Sequence, residues 1–163
     1  MVNAHVNTAN ITNLIASIPD PEIPVISIKE LGILRSVEFK DNVYLVTITP
    51  TYTACPAVPY IEDQIKEKLR QVGIQNVKVE LTYTPAWTTD WITEEAKLKL
   101  KNYGIAPPIH SSCNKVYPQS KHVACPRCSS IDTDLLSQFG STACKALYKC
   151  NSCKEAFEYF KCH

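Results

Sequence analysis

The chain has 163 residues, 45% hydrophobic and 20% charged, which leaves room for one domain or two small ones. Its 17 Lys and Arg stand against 16 Asp and Glu, a net charge of +1, so no basic stripe is present to neutralise a phosphate backbone and nucleic acid is not an expected partner. No run approaches the ~20 apolar residues of a membrane span, and residues 1–8 lack the basic segment and apolar core of a secretory signal, so no membrane partner and a cytoplasmic location are expected.

Ile11, Leu14, Ile15 and Ile18 have helical spacing, and Pro19-Asp20-Pro21 stops the helix because proline lacks the amide proton. A loop rich in Pro and Ile follows. Residues 33–39 and 43–49 are β-rich and separated by Lys40-Asp41-Asn42, which predicts a hairpin. Both strands carry apolar residues on each face, so both faces are expected to be covered. Val58, Ile61, Ile65, Leu69 and Val72 then mark an amphipathic helix closed by Gly73, and Val77, Val79 and Leu81 alternate with Lys78 and Glu80 as a third strand. The order α-β-β-α-β predicts an α+β fold, with two helices layered on a three-stranded sheet.

A further helix is expected over 93–103, with Glu94 and Glu95 in its first turn, Lys97, Lys99 and Lys101 towards its end, and Gly104 after it. Ala106-Pro107-Pro108 breaks the chain, and the polar stretch beyond it places the domain boundary at 108. That gives an α/β domain over 1–108 and a linker with a cysteine-rich module over 109–163.

Cysteine use is uneven. Of the eight cysteines, six lie between Cys125 and Cys162, whereas Cys55 stands alone in residues 1–112. In a reducing compartment such clustering points to metal ligands rather than disulfides. Cys125-Pro-Arg-Cys128 and Cys150-Asn-Ser-Cys153 are two Cys-x2-Cys pairs with twenty-one residues between them, the spacing of a four-cysteine zinc ribbon. Four thiolates also suit a rubredoxin-like iron or an iron–sulfur cluster, and spacing does not separate these. Ser129 and Lys154 stand where many such knuckles have glycine. Cys113, Cys144, Cys162 and the histidines His5, His110, His122 and His163 receive no role. The reading for Cys144 is a small buried hydrophobe, and that for Phe157, Tyr159 and Phe160 is ribbon core.

Cys55 sits in the loop before the amphipathic helix, where the positive end of the helix dipole is expected to lower its pKa. Asp20 and Glu22 lie in a loop flanking the same sheet. The plainer reading of the three is a buried cysteine and two solvated turn carboxylates. A phosphate-binding glycine loop, a Ser/His/Asp set and a Glu-x-x-His pair are all missing from the sequence, so no catalytic site of its own is expected.

Asp20-Pro-Glu-Ile-Pro-Val-Ile-Ser-Ile, Leu31-Gly-Ile and Thr51-Tyr-Thr-Ala-Cys-Pro-Ala resemble the metal–sulfur cluster biosynthesis domain family, which includes SufT. Pro85-Ala-Trp-Thr-Thr-Asp-Trp-Ile-Thr, Tyr103-Gly-Ile-Ala-Pro-Pro, Phe139-Gly-Ser-Thr-Ala-Cys-Lys-Ala-Leu-Tyr-Lys-Cys and Phe157-Glu-Tyr-Phe-Lys-Cys extend the resemblance to the PaaD-like accessory subunits of bacterial phenylacetyl-CoA oxygenases, over about residues 11–162. The resemblance implies a non-catalytic component of the multicomponent 1,2-phenylacetyl-CoA epoxidase of aerobic phenylacetate degradation. Its implied partners are a di-iron oxygenase and an iron–sulfur flavoprotein reductase, and its implied work is helping to mature their metal centres. By position it assigns Cys55 as the functional thiol, able to hold iron or an iron–sulfur cluster transiently, and Asp20 and Glu22 as its carboxylates. It assigns Cys125, Cys128, Cys150 and Cys153 as the ligands of a structural Zn2+. Where many relatives read Ser-Gly-Cys-Pro this chain has Thr53-Ala54-Cys55-Pro56, which adds bulk beside the thiol. The alternative is a structural subunit of the oxygenase complex with no metal-transfer role. The sequence leaves open whether the α/β domain forms a homodimer.

Overall fold

Asn7 opens the first helix by accepting a hydrogen bond from the Ala9 N–H at 3.0 Å, and α1 runs Thr8–Ala16 with Ile11 and Ile15 buried. The structure, a computed structural model, describes residues 7–108 and 123–161. Cys113, Cys162, all four histidines and most of the expected linker therefore lie outside the described residues.

The Pro- and Ile-rich loop after α1 is a plug for the core. Ile18, Ile23, Ile26, Ile28, Leu31 and Ile33 are each 3% exposed or less. Backbone bonds fold the loop on itself, Asp20 N–H to Ile26 O and Ile28 N–H to Ile18 O, both at 2.9 Å. Ser27 and Glu30 form a reciprocal box, in which the Ser27 N–H donates to the Glu30 carboxylate at 2.9 Å and the Glu30 N–H to the Ser27 hydroxyl at 3.2 Å. The buried Trp87 indole N–H then donates to the Leu31 carbonyl at 2.9 Å, fastening the loop from a distant point in the sequence.

β1 (Leu34–Lys40) and β2 (Val43–Ile48) pair antiparallel through a two-residue turn. Asp41 and Asn42 hold φ of +51° and +62°, the left-handed values that a hairpin matched to strand twist requires. α2 (Val58–Gln71) crosses back to β3 (Val77–Leu81), which lies parallel to β2 in a sheet of order β1-β2-β3. α1 packs on β1 and against α2, and α2 packs on β3.

Among the described residues of the first unit, helices cover one face of this sheet, where the strand sequences suggest cover on both. Tyr44, Val46 and Ile48 are buried on the helix side, while the register sets Glu38 and Lys78 on either side of Leu45 on the other face. There Lys78 and Glu80 form an exposed ion pair at 2.7 Å. Val43 and Leu45 are half-buried residues on a polar surface rather than signs of a second layer.

The chain forms two compact units that divide between Trp87 and Thr88, and α3 (Glu94–Tyr103) stands in the second. The expected caps are present: the Thr93 hydroxyl accepts from the Ala96 N–H at 3.1 Å, and Gly104 takes φ +97°. α3 leads into β4 (Ile105–Ala106), which pairs parallel with β7 (Ala156–Phe160) far down the chain. β5 (Thr133–Ser137) and β6 (Lys145–Cys150) complete a sheet of order β4-β7-β6-β5. Its core gathers Ala106, Val123, Ala146, Tyr148, Phe157 and Tyr159 around Cys125 and Cys150.

Among the described residues no helix is long and apolar enough to cross a membrane. Ile65 is fully buried in α2, and its truncation to Ala should cost about 3 kcal/mol through lost burial and a residual cavity. Urea unfolding of the full chain would show this as a lower midpoint for the first unit with an unchanged slope.

Candidate functional site

The four paired cysteines converge. Their Sγ atoms all lie within 4.8 Å of one another, with Cys125 to Cys153 at 3.7 Å and Cys128 to Cys150 at 3.5 Å. A tetrahedron of sulfurs ~2.3 Å from a central ion has edges of about 3.8 Å, so the set fits a single four-coordinate metal. Each knuckle is a tight turn: the Ser129 N–H donates to the Cys125 carbonyl, and the Cys150 N–H to the Glu155 carbonyl, both at 2.9 Å. Ser129 and Lys154, the residues standing in the glycine positions, do take left-handed φ values of +62° and +66°.

A side-chain clamp holds the knuckles face to face. The Ser130 and Ser152 hydroxyls are 2.7 Å apart, and the Asn151 amide donates to Asp132 at 3.0 Å and Asp134 at 2.9 Å. Backbone N–H groups aim at the sulfurs, including Cys153 N–H to Cys150 Sγ at 3.5 Å. That bond, aided by the Ser152 N–H and the Cys128 thiol, outweighs burial and lowers the Cys150 pKa to about 6. The Glu155 N–H favours the Cys153 thiolate, yet burial and the thiols of Cys150, Cys128 and Cys125 push Cys153 up to about 12. Cys144 stays outside the set, buried with its Sγ 3.0 Å from the Thr142 hydroxyl.

Cys55 is half-buried in the turn leading into α2, its N–H donating to the Tyr52 carbonyl at 3.1 Å and its own carbonyl accepting from Val58 at 3.4 Å. α2 has no side-chain N-cap; the sulfur instead takes a hydrogen bond from the Ala57 N–H and another from Thr51. These two partners are not apparent from the sequence, although a cysteine just ahead of a helix does suggest a sulfur facing free amides.

The structure brings Asp20 and Glu22 within electrostatic reach of this thiol and reverses the expected sign of its shift. Burial is the largest effect and raises the Cys55 pKa, and the charges of Glu22 and Asp20 raise it further, outweighing the Ala57 N–H at the helix end. Cys55 is therefore a thiol held protonated, not an activated thiolate. Asp20 is also not a solvated turn residue. It is 5% exposed and accepts from the Glu22 N–H at 2.9 Å and the Ile23 N–H at 2.8 Å. Among the described residues the tetrad is the group of Cys, His, Asp and Glu whose ligand atoms gather closely; Cys55, Asp20 and Glu22 do not gather in that way.

Two measurements follow from this geometry. Glu22→Gln removes one repelling charge, so the Cys55 pKa should fall, and alkylation of Cys55 at fixed mildly alkaline pH, read by peptide mass, should speed up relative to wild type. Ser129→Gly and Lys154→Gly relieve left-handed strain of about 1 kcal/mol each, partly offset by the freedom glycine adds to the unfolded chain. A competing chelator should report up to about fivefold tighter metal binding for each variant.

Residues 8–81 match an iron–sulfur cluster assembly protein family, and residues 110–161 match the PaaD zinc beta ribbon domain. An Escherichia coli (strain K12) protein named as a component of 1,2-phenylacetyl-CoA epoxidase is 49% identical over 149 residues, covering 91% of this chain and 89% of that one. An Fe–S protein maturation auxiliary factor of Porphyromonas gingivalis (strain W83) is 37% identical over 93 residues, 56% of this chain and 88% of its own. Among solved structures, a domain of unknown function DUF59 from Bacillus anthracis shares the fold, with a TM-score of 0.53 and 23% identity over 57% of this chain and 90% of that chain. The family matched by the ribbon is a zinc one, and its four cysteine sulfurs stand close enough together to hold a single metal ion. Taken with the match to the Escherichia coli epoxidase component along nearly its whole length, they establish that the chain belongs to the PaaD family, with an iron–sulfur cluster assembly domain followed by a zinc ribbon.

Proposed function

We propose that this chain is a cytoplasmic accessory subunit of a 1,2-phenylacetyl-CoA epoxidase system that helps mature the iron–sulfur or di-iron centres of its partners and carries no catalytic site. The partners in this reading are the di-iron oxygenase and the iron–sulfur flavoprotein reductase. The observation that carries it is the Cys55 site: one soft ligand at a helix N-terminus, with two carboxylates acting on it, in a domain whose relatives are named as Fe–S protein maturation factors.

The electrostatics suit a transient station. The carboxylates that disfavour the thiolate also draw in a cation, and an arriving iron displaces the thiol proton while relieving the repulsion from Asp20 and Glu22. When the metal leaves, the thiol regains its proton and is again a poor nucleophile. A single thiol with no converging ligand set favours passing a metal on over storing it. The zinc held by Cys125, Cys128, Cys150 and Cys153 closes the ribbon and takes no part in the transfer; the ribbon is the docking module.

The test replaces the protein in phenylacetate-grown cells by Cys55→Ser. Reductase cluster content, di-iron occupancy and epoxidase turnover should fall on the order of tenfold, while the purified variant keeps one zinc per chain. Full metallation of both partners in the variant cells would instead assign the chain a purely structural place in the oxygenase complex.

A further inference from the structure

The four cysteines of the tetrad are unequally exposed. Cys128 is exposed and Cys153 half-buried, whereas Cys125 and Cys150 are 0% exposed. A small oxidant arriving from solvent therefore meets Cys128 first. The sulfur in contact with it across the site is Cys150, at 3.5 Å, and the other contact across the site is Cys125 with Cys153, at 3.7 Å. Each of these pairs joins one knuckle to the other. The knuckles are already held face to face by the Ser130–Ser152 hydroxyl contact and the bonds from Asn151 to Asp132 and Asp134. A bond across the site thus needs little backbone movement.

We propose that the tetrad is a peroxide-sensitive switch in which Cys128 is the site of oxidation and Cys150 closes a disulfide onto it. The Cys128 thiolate attacks one peroxide oxygen; the S–O bond forms, the O–O bond breaks and hydroxide departs, leaving a sulfenic acid. The Cys150 thiolate then attacks the Cys128 sulfur, the S–S bond forms, the S–O bond breaks and a second hydroxide departs. In sum two thiolates are oxidised to a disulfide and one hydrogen peroxide is reduced to two hydroxides. Only Cys125 and Cys153 remain as thiolates, too few to close a four-coordinate site, so the zinc is lost and the ribbon loses the stability that the metal supplied. A second peroxide joins Cys125 to Cys153 by the same two steps. None of these steps involves Cys55.

Zinc-loaded wild-type full chain, titrated with hydrogen peroxide in substoichiometric steps, provides the test. Released zinc is read with a chromogenic chelator, and disulfides are mapped by peptide mass at each step. The expected first product is the Cys128–Cys150 disulfide, appearing in step with zinc release up to one ion per chain, and a thiol reductant with added zinc should restore binding. A first disulfide within a knuckle, a first disulfide through any other cysteine, or zinc retained after the Cys128–Cys150 bond has formed would each overturn the proposal.

Discussion

A stretch as short as residues 123–161 buries too little apolar surface to offset the entropy of ordering it, and one ion held by the four converging sulfurs would make up the difference. The layout of the ribbon follows from that need. β6 delivers Cys150 to the start of one knuckle, Cys125 leads into the other, and both sulfurs are part of the apolar core as well as of the metal set. Tyr148 packs beside them, its ring 5.8 Å from Phe157 and 5.9 Å from Tyr159. Core and coordination sphere are here one structure.

At the far end of the same sheet a second polar device works without metal. Lys145 is 3% exposed and pairs with Glu158 at 3.1 Å, and Glu158 also accepts from the Ser141 N–H. Burial opposes ionisation of Glu158, but the Ser141 N–H and the Lys145 ammonium outweigh it and hold the carboxyl below its usual range. The loop can come this close because residue 140 is glycine: a Cβ there would lie 2.5 Å from the Glu158 carboxylate. The first unit uses a comparable economy, in which Asp20 both organises the isoleucine loop and acts electrostatically on Cys55.

What can be read from the sequence is what local chemistry determines. Helical spacing, the Asp41-Asn42 turn, the caps at Thr93 and Gly104 and the two Cys-x2-Cys pairs each carry their signal within a few residues, and each is found in the structure. The less visible features all depend on partners distant in the chain. The outer face of the first sheet is polar because Lys78 and Glu80 arrive beside β2 from beyond α2, which the β1 and β2 sequences do not register. The Cys55 shift runs opposite to the sequence expectation because a helix end can be seen in sequence, whereas burial and two charges from another loop cannot. The glycine positions of the knuckles show the reverse case, since spacing alone locates the strained residues Ser129 and Lys154.

The short strand β4 bears on how this family is divided for study. Ile105 and Ala106 are buried and cover the flank of β7 that β6 does not, pairing with Glu158 and Tyr159. A fragment starting at residue 110, where the ribbon family begins, would keep every metal ligand and lose that cover. β7 would become an open strand edge beside Phe157 and Phe160, a template for pairing with another molecule. The four cysteines are thus only part of what closes this half of the chain, since its sheet is completed by a strand that precedes them by some twenty residues.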